Sequence, residues 1–110
     1  MSYLHKELAA GRWKELPFLE QMAHIGSEVE RALNWRSKNH EAYSRQAGER
    51  ARELADLTLE CARGFSRLKE VARMREILVD YLFGTNEYRS SDESWKKYFL
   101  NFTYAVRKNS

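Results

Sequence analysis

Leu19, Met22, Gly26, Val29 and Leu33 recur at intervals of 3, 4, 3 and 4 residues, the stripe of a helix packed lengthwise against other helices. Phe18, Ile25 and Ala32 form a second row at intervals of 7 and widen the apolar face beyond a two-stranded seam. A face that wide needs several neighbours, so the segment predicts a bundle rather than a zipper. Gly26 stands inside the stripe, where Ala would favour an isolated helix by about 1 kcal/mol. Close approach of another backbone is the expected reason for it.

Three further helices follow from the same periodicity. Pro17 suits a first turn, which starts the first helix there and carries it to about residue 38. Between Arg36 and Glu41 no Gly or Pro interrupts the chain, so one rod from Pro17 to about Ala62 is compatible with the residues. A turn is preferred, with Asn39 as N-cap of a second helix over 40–62 whose inner side is Ala47, Ala51, Leu54, Leu57, Thr58 and Cys61. Gly64 ends it and Ser66 caps a third helix over 67–83, with Val71, Met74, Leu78 and Tyr81 inward. After Gly84 and a polar loop, Ser90 and Glu93 read as a capping box into a fourth helix, 91–108, with Trp95, Tyr98, Phe99 and Phe102 on its inner face. The expected fold is all-α, one domain, an antiparallel up-and-down four-helix bundle. A short lead-in precedes it, from which Tyr3, Leu4, Leu8 and Trp13 can fold back.

Composition excludes several classes of function. One cysteine, Cys61, permits no internal disulfide and reads as a small core residue in a reducing compartment. No signal-peptide pattern precedes a cleavage site, and no apolar run approaches the roughly 20 residues that span a bilayer. A soluble, cytoplasmic protein without a membrane partner is expected. His5, His24 and His40 lack the paired Glu-x-x-His motifs of a di-metal bundle, so no metal site is expected. Arg36 and His40 are too close in sequence for the Arg and His pair of a helical ribonuclease, and no nucleophile triad or phosphate loop is present. The expectation is no enzyme, no cofactor and no small-molecule substrate.

Charge is the remaining signal. Nineteen bases, twelve of them Arg, against sixteen acids leave a net charge of +3. Many bases stand beside acids, as Arg50 and Arg75 do, and read either as salt-bridged surface or as an inter-subunit ionic network. Antiparallel topology would gather Arg12, Lys14, Arg63, Arg67, Arg107 and Lys108 at one end, where they predict phosphate contacts or ordinary helix-terminal cations. Trp35, Leu100 and Tyr104 fall off the inward stripes and, with Arg50 and Arg75, are the candidates for a subunit contact.

The runs IGSEVERALNW at 25–35, ERARELADLT at 49–58, RLKEVARMREILVDY at 67–81, NEY at 86–88 and YFLNF at 98–102 extend the argument. In order and length the chain resembles a bacterial family of small four-helix bundles that includes the accessory variability determinant of diversity-generating retroelements and the ribosomal-RNA intervening-sequence proteins. The resemblance implies a non-enzymatic, barrel-like homopentamer whose basic surface engages nucleic acid and, in retroelements, the reverse transcriptase. No active-site residues come with it. The alternative is a structural or protein-interaction bundle without nucleic-acid affinity.

Overall fold

The computed structural model describes residues 11–108, so Tyr3, Leu4 and Leu8 lie outside the described residues. A 3₁₀ turn, Trp13–Glu15, precedes four helices: α1 Phe18–Ser37, α2 Glu41–Cys61, α3 Phe65–Phe83 and α4 Asp92–Lys108. The stripe of α1 is buried at Met22, Ile25, Gly26, Val29, Ala32 and Leu33, which makes this helix the shared wall of the core. It packs along α2 and along α4, while α3 packs against α2. Consecutive helices run antiparallel. Ser44, early in α2, donates to the Ala32 carbonyl late in α1, and Phe83 at the end of α3 reaches Gly48 near the start of α2. Arg36 at the end of α1 pairs with Asp92 at the start of α4 at 2.9 Å, and Phe18 meets Phe102 at the other end.

The core joins these helices with Leu54, Leu57, Val71, Met74, Leu78, Trp95 and Phe99. Burying a side chain such as Ile25 or Leu33 stabilises by about 1.5–3 kcal/mol before entropy is counted. The seam between α3 and α4 is the most open. It is bridged by the Tyr98 hydroxyl, which donates to Glu70 at 3.1 Å, and by Tyr81 donating to Asp92. Burial and the nearby Glu70 carboxylate push the Tyr98 phenol far above its ordinary range, so it remains a donor.

Three helix ends differ from expectation. Asn39 does not cap α2: it adopts a left-handed conformation, φ 62°, and closes α1, with its N–H on the Arg36 carbonyl and that of His40 on the Trp35 carbonyl. The chain therefore reverses after α1, and the single-rod alternative is excluded. α3 starts at Phe65, two residues before the expected start, because Gly64 makes the turn with φ 89°; Ser66 is already helical and caps nothing. The fourth cap is one residue later than expected. Ser91 and Ser94 exchange hydrogen bonds at 3.0 Å, in place of Ser90 and Glu93.

Trp13, the one of these lead-in residues that is described, folds back, and only 2% of it is exposed. Its indole N–H donates to Thr58 Oγ1 at 3.0 Å, and Thr58 in turn donates to the Leu54 carbonyl at 2.8 Å. Gln21 Nε2 donates to the Trp13 carbonyl at 2.9 Å, so the turn is fixed to α1 and α2 together. Among the described residues no helix is long and apolar enough to cross a membrane.

A Cβ on Gly26 would stand 2.7 Å from Phe99 Cβ and 2.8 Å from its Cγ, atoms that cannot move without α4. The close approach is real, and it is the root of a side chain that makes it. At Gly48 a Cβ would meet the ring tip of Phe83 at 3.1 Å, which a small ring movement relieves. Gly26→Ala should therefore lose about 1–2 kcal/mol in urea unfolding, overpacking outweighing the gain in helix propensity. Gly48→Ala should be neutral or stabilising. Equal effects at the two sites would contradict this packing.

Candidate nucleic-acid interface

The end of the bundle formed by the 3₁₀ turn, the start of α1 and the α2–α3 connection carries the basic cluster. Trp13 anchors the 3₁₀ turn and so places Lys14 beside α2. Ala62 is extended and Gly64 turns the chain, which projects Arg63 from the connection and puts Arg67 in the first turn of α3. Lys14, Arg63 and Arg67 line one recess of about 310 Å³ together with Phe18, Glu60 and Cys61. Three bases to one acid give this recess a positive balance.

The charge environment separates these bases from others along the bundle. Arg31 and Arg50 pair with Glu28, Arg36 with Asp92, Arg52 with Glu49 and Arg75 with Asp56. Lys14, Arg63 and Arg67 have no carboxylate within ion-pair distance among the described residues. Arg67 is held instead by a ring, its guanidinium lying 4.9 Å from the centre of Phe18. A cation–π contact fixes the guanidinium while leaving its in-plane N–H groups available for an anion. The first turn of α3 adds to the effect, since it holds no acidic residue and no side chain caps it.

Six bases were expected at this end, and the recess brings three of them together. Arg12 is exposed just ahead of the 3₁₀ turn and does not line the recess. Arg107 lines a separate groove between α1 and α4, of about 360 Å³, with Gly26, Glu30, Leu100 and Thr103. Lys108 is exposed at the end of α4. The helices are close to cylinders, so bases at the ends of different helices can share an end yet face different grooves.

The residues predicted for a subunit contact fall into two groups. Leu100 and Tyr104 project from α4 at 61% and 65% exposure. Trp35 is half-buried against His40 and Tyr43, with ring centres 5.2 and 4.9 Å away, and so packs within the chain. Arg50 and Arg75 are engaged by acids of the same chain, Glu28 and Asp56. Phe65 was missed by sequence reasoning. It is 78% exposed, the most exposed large apolar residue among the described ones, and lies between Arg63 and Arg67. Starting α3 at Arg67 had hidden it in a turn; the signal was an aromatic residue following Gly64 with bases on both sides.

No family model, curated protein or solved structure matches the chain. Among the described residues no three metal-ligating side chains cluster.

Cys61 in the recess offers a chemical probe. Partial burial, followed by Glu60, pushes its thiol above the ordinary value, while Lys14 and Arg63 oppose that shift. At neutral pH the thiolate fraction should be below that of an exposed cysteine, so alkylation by iodoacetamide should be slower than for a free thiol and should rise only at more alkaline pH. Fast alkylation at pH 7 would contradict this environment.

Proposed function

We propose that the chain is a non-enzymatic, self-assembling four-helix bundle of the cytoplasm whose basic end binds nucleic acid. The role implied by the resemblance to retroelement accessory proteins, engagement of RNA together with a reverse transcriptase, is the form of this function that we favour. The observation that supports it is the recess in which Lys14, Arg63 and Arg67 converge without carboxylate partners among the described residues. Phosphates are the common anions that three converging bases and an uncapped helix start would attract.

Replacing Lys14, Arg63 and Arg67 together by Gln tests this directly. The wild-type protein should bind RNA with an affinity that falls steeply with salt. Loss of three phosphate contacts should reduce the slope of log K against log salt by about 2–3. Binding indifferent to salt, or unchanged in the triple variant, would sink the reading.

Exposed Leu100 and Tyr104 support the assembly part of the proposal, and they equally suit the alternative of a protein-interaction bundle. Sedimentation should give a particle of five chains of 13.1 kDa each, and Leu100→Asp with Tyr104→Asp should reduce it to the single chain. A wild-type protein that sediments as one chain would remove the assembly.

A further inference from the structure

We infer that the basic end takes a single strand rather than a duplex, with an unstacked base seated on Phe65 and the neighbouring phosphates held by Arg63, Arg67 and Lys14. This rests on the nucleic-acid reading above and adds to it the form of the ligand. The sequence from 63 to 69, RGFSRLK, alternates bases with apolar residues, and Gly64, at φ 89°, turns the chain into α3. Phe65 is 78% exposed, and Leu68, one helical turn further on, is 44% exposed. A soluble bundle gains nothing in its own core from a ring left in water, whereas a base gains stacking from it.

Charge complementarity selects the occupant. Arg63 and Arg67 flank the ring in sequence, both without ion pairs among the described residues, and they line the recess that also holds Lys14. A strand whose backbone lies in that recess can turn one base out onto Phe65. A duplex cannot, because its bases are stacked inside the helix and offer no free face. A flat anionic lipid surface fits less well, because the cations line a concavity rather than a flat face.

The experiment compares binding of oligo(dT) of about 15 nucleotides, a length that covers one such site, with binding of a blunt duplex at the same salt. It uses the whole chain, its Phe65→Ala and Phe65→Trp variants and the triple Gln variant. Oligo(dT) should bind more tightly than duplex. Phe65→Ala should weaken oligo(dT) by about 5- to 150-fold with an unchanged salt slope, and Phe65→Trp should restore affinity, with its added emission quenched by the oligonucleotide. Equal affinity for both nucleic acids, or a silent Phe65→Ala, overturns this inference. If the triple Gln variant still lowers binding in that case, the basic-end reading survives alone. No binding of either nucleic acid overturns both, as does binding only to phosphatidylserine vesicles.

Discussion

The missing side chain at Gly26 lets α4 lie against α1, and the rest of the bundle is arranged around that contact. Phe99 places its Cβ where a side chain on Gly26 would begin. With α4 this close, Trp95 stacks on Phe99 with ring centres 5.8 Å apart, and Tyr98 meets the same ring edge-on at 4.9 Å. Edge-on and offset geometries are those that aromatic quadrupoles favour, so the inner face of α4 is held by direction as well as by area. α1 can then serve α2 on one side and α4 on the other, leaving α3 to close the core from the α2 side.

Electrostatics divide the surface by what each base meets. At the end where α1 finishes, Arg36 pairs with Asp92 and lies 4.8 Å from the centre of the Tyr81 ring, while Tyr81 donates to the same carboxylate. That arrangement ties α1, α3 and α4 together. Such partly exposed pairs contribute little stability singly, at most about 1 kcal/mol each. Their larger effect is to neutralise Arg31, Arg36, Arg50, Arg52 and Arg75, whereas Lys14, Arg63 and Arg67 converge with no such partner among the described residues. Function in a bundle of this kind is therefore sought at its ends and on its exposed α4 face, where polar and apolar groups are left for a second molecule.

Helices and core were legible because both follow from periodicity: an apolar residue every three or four positions has one stable use in water, burial along a helix face. Met22, Ile25, Val29, Leu33, Val71, Met74 and Leu78 are buried as their spacing required. The helix ends were less legible, since Asn39 serves an N-cap or a left-handed terminus equally well and only the path of the following chain selects one. Glu53 shows the same limit. It stands in a charged run, yet only 4% of it is exposed, because the rotation of α2 between its neighbours decides which side of the run faces inward.

By itself, the sequence determined the fold class, the number of helices and that Gly26 marks a close approach, though not that a side chain rather than a backbone makes it. Those properties depend on local spacing. Only the tertiary structure decided that Lys14, Arg63 and Arg67 share a recess while Arg107 faces another groove, that Trp35 packs within its own chain, and that Phe65 stands in solvent. Each of these depends on the rotation of one helix about its axis relative to the next. That rotation is fixed by contacts between residues far apart in sequence, such as Gly26 with Phe99 and Trp13 with Thr58.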